Sequence, residues 1–382
     1  MNKAPFNSMN MQASIEQILS RYDDRAPLAQ ASTIPALWYV DPRIAELERL
    51  NIFSRTWQLA ARTDQLQKPG EFVSTRLAGE PVLIVRGSDG TLRAFYNVCR
   101  HHAAAVVTQP CGQTTMLQCP YHGWKYALDG SLKGVPEFDG VESFDRAQNG
   151  LVLIRVETWE CFVFVNLDPE AAPLQEFLGS FVKRVAPLGI RKLHYFDRRC
   201  YDIRCNWKVY VDNYLDGGYH VPHLHKGLST VLDYKQYTIE NEDRYCLQSS
   251  PMVSSSEDAA TGATRKGDRA RYFWQYPNLM INCYEGYMDT NYVIPVDADH
   301  CTVIFDFYFS DVGDARREYN NESVNVGSRV QDEDLGICED VQRGLKSRAY
   351  GAGRLSVRRE AGEHLFHRLL AADLRQKKFV ET

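Results

Sequence analysis

The sequence predicts an α+β protein in which an all-β domain is joined to a larger domain of antiparallel sheet and helices. Three observations lead there. Residues 57–166 are strand-rich, punctuated by Gly70, Gly79, Gly87, Gly90, Gly130 and Gly150, with hairpin signals at Asp89-Gly90 and Asp129-Gly130. Residues 174–382 mix strand patterns, Cys301 to Phe309 the clearest, with helical periodicity near 174–186, 206–220, 325–347 and 358–376. At 382 residues the chain is also too long for one small β domain.

Local pattern sets the order of elements. Residues 1–56 read as an N-terminal helical segment packing on the larger domain: Ile15, Ile18 and Leu19 share a face, and Pro42 to Phe53 repeats Ile44, Leu47, Leu50 and Ile52. Within 57–166, Val82-Leu83-Ile84-Val85 and Thr91-Leu92-Arg93-Ala94-Phe95 flank a turn, and Cys161-Phe-Val-Phe-Val165 closes the domain. Asp168-Pro-Glu-Ala-Ala-Pro173 reads as a linker to the domain over 174–382. Ser249 to Arg271, rich in Ser, Ala, Gly and charge, reads as a mobile loop.

Composition narrows the function. Hydrophobic residues at 44% and aromatics at 12% allow a large core, and a net charge of −5 offers no basic field for nucleic acid or anionic membrane. No apolar run approaches the roughly 18 residues that span a bilayer. Met1 to Leu19 lacks the apolar core of an export signal. Cys111 and Cys161 fall in the β domain, while Cys200, Cys205, Cys246, Cys283, Cys301 and Cys338 are scattered singly. That usage suits small core residues in a reducing cytoplasm.

Chemistry enters at Cys99-Arg-His101, followed after seventeen residues by Cys119-Pro-Tyr-His122. Two thiolates and two imidazoles in this order suit a [2Fe–2S] cluster with both His on one iron, the Rieske arrangement, whose potential lies above that of an all-Cys cluster. Zinc also takes Cys2His2, but zinc fingers pair Cys with Cys and His with His, whereas here each loop offers one of each. Gly351-Ala-Gly353 lacks the preceding strand and third Gly of a dinucleotide fingerprint, so the electrons must come from another protein.

A second metal site is legible in Asn206 to His225, which packs His220, His223 and His225 beside Asp212 and Asp216. A 2-His-1-carboxylate face with open positions suits non-haem Fe(II). Pro222 interrupts regular helix, so geometry leaves His223 and His225 tied as the second imidazole. For the carboxylate, the helical run Val324 to Leu345 has the inward stripe Val330, Cys338, Val341 and Leu345, and Asp334 falls on it. Asp332, Glu333, Glu339 and Asp340 fall on solvated faces. An inward carboxylate wants a cation, either an Arg or a metal.

In these residues the chain resembles the Rieske non-haem iron ring-hydroxylating oxygenase α subunits. The cluster motif ends Cys119-Pro-Tyr-His-Gly-Trp124, and the likeness extends from Tyr39-Val-Asp-Pro42 to the C-terminal helix. Asn213-Tyr-Leu-Asp-Gly-Gly-Tyr-His220, His225-Lys-Gly-Leu228, Tyr276-Pro-Asn-Leu-Met-Ile-Asn282, Tyr287-Met-Asp-Thr-Asn291 and Cys338-Glu-Asp-Val-Gln-Arg-Gly-Leu345 are similar to choline monooxygenase and related quaternary-ammonium monooxygenases. The resemblance implies a helix-grip-like catalytic domain, a cluster on Cys99, His101, Cys119 and His122, and mononuclear iron on His220, His225 and Asp334. It implies Asp216 as a carboxylate joining His220 to a cluster His of the adjacent chain in a homotrimer, with Asn213 beside it as a further catalytic candidate and Asp212 the lesser bridge. Two departures stand out. Many relatives place that carboxylate three residues before the His, where this chain has Gly217, and His102 follows His101 where relatives often carry Arg.

The implied activity is that of a terminal oxygenase using O2 and electrons from a separate reductase or ferredoxin, drawn from NAD(P)H. Choline hydroxylated to the hydrate of betaine aldehyde is the first expectation. The alternatives are N-demethylation of glycine betaine, carnitine or stachydrine, or aromatic-ring dioxygenation, while a bare electron carrier would not need residues 174–382. A quaternary ammonium donates no hydrogen bond, so aromatic faces and a carboxylate should recognise it. Trp274, Tyr276, Tyr284, Tyr287 and Tyr292, with Glu285 and Asp289, are the candidates.

Overall fold

The computed structural model describes residues 13–253 and 259–376, which divide into two compact units, one over 52–177 and one joining 13–51 to 178–376. The first unit contains β1 (Gln58–Arg62), β2 (Glu71–Leu77), β3 (Glu80–Arg86), β4 (Leu92–Tyr96), β5 (Cys111–Gln113), β6 (Leu117–Gln118), β7 (Lys125–Tyr126), β8 (Leu132–Gly134), β9 (Leu153–Trp159) and β10 (Phe162–Asn166). They form a seven-stranded sheet, β1-β10-β9-β4-β3-β2-β5, and a small sheet, β6-β7-β8. β3 is apolar at successive positions because both its faces are covered. Leu83 and Val85 pack with Phe72, Phe95 and Trp124, whereas Val82 and Ile84 pack with Val73, Ala94 and Val163. The two Asp-Gly turns link β3 to β4 and β7 to β8, and so aim the loop after β4 and the β6-β7 connection toward one shared core.

The second unit is built on one antiparallel sheet in the order β11-β17-β16-β15-β14-β13-β12. Its strands are β11 (His194–Ile203), β12 (Thr238–Glu242), β13 (Tyr245–Pro251), β14 (Arg269–Gln275), β15 (Leu279–Tyr284), β16 (Tyr287–Pro295) and β17 (Cys301–Phe309). The helices that concern the site are α1 (Ile15–Leu19), α2 (Pro42–Glu48), α3 (Trp207–Leu215), α4 (Val221–Leu224), α5 (Ala259–Thr264), α6 (Arg317–Leu345) and α7 (Ala361–Leu374). α1 starts in a capping box between Ser14 and Gln17, and α2 has Asp41 at its N-cap with Pro42 in its first turn. The N-terminal segment is tied to the sheet's helices by polar contacts. Glu48 accepts from Lys208 Nζ at 2.5 Å and from Trp207 Nε1 at 2.8 Å, and Arg375 donates to the carbonyls of Leu19 and Tyr22.

Four expectations are corrected. Ser249 to Arg271 is no loop throughout: β13 runs to Pro251, α5 follows, and β14 begins at Arg269, with residues 254–258 outside the described set. Its polar residues face inward and find partners there, as Ser250 does on the carbonyl of Asp233 and Arg265 on Ser323, so composition misread buried polarity as solvent exposure. The helix expected over 206–220 ends at Leu215, because Gly217 and Gly218 take left-handed conformations. On α6 the stripe holds at Cys338 and Leu345 but Val341 is exposed. The cysteines of the larger unit are not all isolated, since Cys205 and Cys301 bring their sulfurs to 3.8 Å. No helix among the described residues is long and apolar enough to cross a membrane.

Candidate metal centres and substrate cavity

The first centre lies where the loop after β4 meets the turn between β6 and β7. Cys99 and Cys119 are buried at the base of these loops. Gly123 closes the second loop at φ +71°, a conformation that suits glycine, and its N–H reaches the Cys119 carbonyl at 3.1 Å. The Tyr121 and His122 amides donate to the Cys119 sulfur, and Tyr126 Oη lies 3.3 Å from Cys99 Sγ while accepting from the Arg100 amide. The rings of His101 and His122 stand 4.7 Å apart, and Trp124 stacks on His101 at 4.7 Å and 6°. His101 Nδ1 is buried with no hydrogen-bond partner. A buried ring nitrogen without a partner beside two buried thiols fits a cluster ligand set, since such a group otherwise costs its full desolvation. His102 is exposed, its ring 4.0 Å from that of His101.

The second centre is assembled by α3, the turn after it, α4 and α6. His220 Nε2 and His225 Nε2 lie 3.9 and 3.1 Å from Asp334 Oδ1. Two ligand atoms each about 2.1 Å from one ion stand between about 3 and 4.2 Å apart, so the three atoms fit a shared metal. Each imidazole has its other nitrogen on a carboxylate: His220 Nδ1 meets Asp216 Oδ2 and His225 Nδ1 meets Glu333 Oε2, both at 2.6 Å. With the proton held on Nδ1, the Nε2 lone pair is free for a metal. Asn213 Nδ2 donates to Asp334 Oδ1 at 2.9 Å. His223 is exposed and outside the group. No Arg meets Asp334 in an ion pair among the described residues.

The two glycines explain how Asp216, four residues before His220, reaches its ring. Gly217 and Gly218 have φ of +68° and +67°, and a Cβ on Gly217 would lie 2.1 Å from the Arg359 carbonyl. This turn folds Asp216 back so that it also accepts from the Tyr219 and His220 amides at 3.1 and 2.9 Å. Asp212, one turn earlier, points elsewhere, bound by Tyr39 Oη at 2.5 Å and His367 Nε2 at 3.0 Å.

A cavity opens beside the triad between α3, α6 and the sheet. Register brings Gln248, Tyr272, Asn282 and Asp289 into one row across β13 to β16, and all four line it. Tyr214, Tyr237, Tyr284 and Phe305 add aromatic faces, and Thr261 and Arg265 reach in from the stretch read as a loop. Asp289 accepts from Tyr287 Oη, Asn282 Nδ2 and Asn291 Nδ2 at 2.6, 2.7 and 3.0 Å, while burial pushes its carboxyl above the usual range.

Of the expected substrate contacts, Tyr284 and Asp289 line the cavity and Tyr287 stands behind Asp289. Trp274 and Tyr292 do not line it. Trp274 lies one row deeper than Tyr272, packed on Phe366 of α7, and Tyr292 is three residues from Asp289 and so points through the opposite face of β16. Tyr276 donates to Asp373, and Glu285 belongs to the turn before β16. The residues missed are Glu333, Tyr126, Tyr214, Tyr237, Tyr272 and Arg265. A Tyr-rich pattern alone could not rank them, because their facing depends on register.

Comparison with known proteins agrees with this geometry. Residues 56–145 match the Rieske [2Fe–2S] domain family, and residues 190–376 match the family described as the ring hydroxylating alpha subunit catalytic domain. The chain is 36% identical to chloroplastic choline monooxygenase of Arabidopsis thaliana, covering 95% of this chain and 88% of that one. It is 33% identical to the carnitine monooxygenase oxygenase subunit of Escherichia coli, covering 90% and 94%. A solved quaternary ammonium Rieske monooxygenase superposes with a TM-score of 0.82 at 32% identity, over 90% of this chain and 96% of that one.

Proposed function

The chain belongs to the Rieske ring-hydroxylating oxygenase α subunits, and from that premise we propose that it hydroxylates a C–H bond of a small quaternary-ammonium substrate. The observation that carries this reading is the cavity wall beside the triad, where the rings of Tyr214, Tyr237, Tyr272 and Tyr284 and the carboxylate of Asp289 meet. Such a wall suits a cation that offers no hydrogen bond, because ring faces and a nearby negative charge attract it without needing a donor. When bound, the [2Fe–2S] cluster and the mononuclear iron supply single-electron transfer and O2 chemistry.

The chain's residues hold and orient. Asp216 and Glu333 keep the Nδ1 protons of His220 and His225, and Asn213 steadies Asp334 through its amide. Asp216 is read as the bridge that couples His220 to a cluster His of a neighbouring subunit in a homotrimer with head-to-tail contacts. Electrons come from a separate reductase or ferredoxin, since Gly351-Ala-Gly353 offers no dinucleotide site.

Choline is the first substrate by likeness, oxidised at its carbinol carbon. N-demethylation of a betaine is the second, in which a hydroxylated N-methyl group leaves as formaldehyde. Substrate-dependent O2 uptake with a generic reductase, across choline, glycine betaine, carnitine and biphenyl, tests the reading. Betaine aldehyde or formaldehyde formed in step with O2 supports it. Uptake with biphenyl alone, yielding a diol, sinks it in favour of an aromatic-ring dioxygenase.

A further inference from the structure

The cavity holds a buried cation that recognition of a quaternary ammonium does not use. Arg265 is 6% exposed and lines the cavity, yet none of its hydrogen-bond partners among the described residues is a carboxylate. Its Nη1 donates to Ser323 Oγ at 2.7 Å, and its Nη2 reaches the Ser323 carbonyl at 3.2 Å and Tyr287 Oη at 3.4 Å. The guanidinium also lies 4.4 Å from the ring of Tyr287 and 5.3 Å from that of Tyr284. No Asp or Glu among the described residues comes within ion-pair distance of it. Arg stays charged in proteins, and a buried charge without a counter-ion is costly unless a ligand supplies one.

Asp289, whose charge acts on Arg265, makes no direct ion pair with it. Its oxygens already accept from Tyr287, Asn282 and Asn291, and Tyr287 Oη stands between it and the guanidinium. The cavity therefore has two separated poles, a negative one at Asp289 and a positive one at Arg265. Gly327 of α6 stands beside the positive pole, where a Cβ would lie 3.5 Å from Arg265 Nη2 and 3.2 Å from the ring of Phe307. Gly327 precedes Asp334 by seven residues on the same helix, or about 10 Å along its axis at ~1.5 Å per residue. Choline, a cation with a hydroxyl, brings Arg265 no anionic partner and adds a like charge to the same cavity.

We infer that Arg265 determines specificity and selects a zwitterion, a quaternary ammonium that carries a carboxylate, with the carboxylate on Arg265, the ammonium among the tyrosines near Asp289 and an N-methyl group toward the triad. This deepens the quaternary-ammonium reading and rests on it. Guanidinium is suited to the task because it keeps its charge and retains N–H donors beyond those held by Ser323 and Tyr287.

The test is calorimetric binding to the holoenzyme of three probes, choline, glycine betaine and 4-(trimethylammonio)butanoate, in the wild type, Arg265→Gln and Arg265→Lys. In the wild type at least one carboxylate probe binds about ten-fold or more tightly than choline, the scale of a hydrogen-bonded charge pair. Arg265→Gln weakens that probe by about ten-fold or more while choline binding tightens, and Arg265→Lys keeps part of the preference. A wild-type preference for choline, or a carboxylate-to-choline ratio unchanged in Arg265→Gln, overturns the inference and leaves the quaternary-ammonium reading standing. Binding of none of the three probes overturns both. If Arg265→Gln is recovered without cluster absorption, the wild-type ratio and Arg265→Lys decide.

Discussion

Glu333 and His225 are joined at 2.6 Å through the imidazole's Nδ1, while the next residue of the same helix, Asp334, lies 3.1 Å from its Nε2. Successive helical residues diverge by about 100°, so α6 grips the ring at both edges and fixes its plane. A ring so held needs no reorganisation to present Nε2 to a metal. Glu333 is half-exposed, and its pairing with a buried His marks it as a support for the centre rather than a solvated surface charge.

Glu333→Gln therefore keeps an acceptor for His225 but removes its charge. Iron affinity of the mononuclear site should fall by about 10–100-fold, read as iron retained after dialysis against a graded chelator. The cluster's visible spectrum should not change. Asp334→Ala, which deletes a ligand atom, should lose the iron and turnover outright. Iron retention in Glu333→Gln equal to wild type would show that the second carboxylate is incidental.

Much of this was legible because it is local. The two Cys-His loops and their Asp-Gly hairpins are short-range patterns, and the inward position of Asp334 follows from its spacing to Cys338 and Leu345 on one helix. The double glycine before Tyr219 similarly announces the turn that returns Asp216 to His220. What escaped is long-range. Glu333 looked solvated because its partner is 108 residues away. Trp274 and Tyr292 looked like cavity aromatics because facing and depth are set by register across β13 to β17, which no single strand encodes. Arg265 was hidden in a polar stretch whose composition suggests a loop.

Cys119→Ser should abolish the cluster's visible absorption and all turnover, while the mononuclear site still binds iron. Cys119 is buried at the base of its loop, and a serine oxygen is a poor substitute for thiolate sulfur in holding a cluster. Optical absorbance and iron per chain check it. Wild-type absorbance at one cluster per chain would remove Cys119 from the ligand set.

Lys208→Met tests how the N-terminal segment is held. Glu48 and Lys208 are both fully buried, and Glu48 also satisfies Trp207 Nε1. Removing the cation strands a buried carboxylate, at a cost of about 3–5 kcal/mol. Denaturant unfolding followed by Trp fluorescence should show a loss of that size. The double variant Glu48→Leu with Lys208→Met should recover a large part of it, because no charge is then left unpaired. A loss below about 1 kcal/mol, the scale of an exposed pair, would mean that water reaches this site.

Asp216→Asn bears on the link between the two centres. The carboxylate accepts from the Tyr219 and His220 amides and from His220 Nδ1, so the amide replacement preserves volume but loses the charge that holds the ring proton. Both metals should stay bound, substrate affinity should change little, and transfer of an electron to the mononuclear site should slow by about ten-fold or more. Stopped-flow oxidation of a pre-reduced cluster by O2, with substrate present, reads that rate directly. Asp212→Asn is the control, because Asp212 is engaged by Tyr39 and His367 rather than by His220 and should leave the rate near wild type. A rate unchanged in Asp216→Asn but collapsed in Asp212→Asn would move the bridge to Asp212. Rates unchanged in both would mean that electrons reach the iron without either carboxylate.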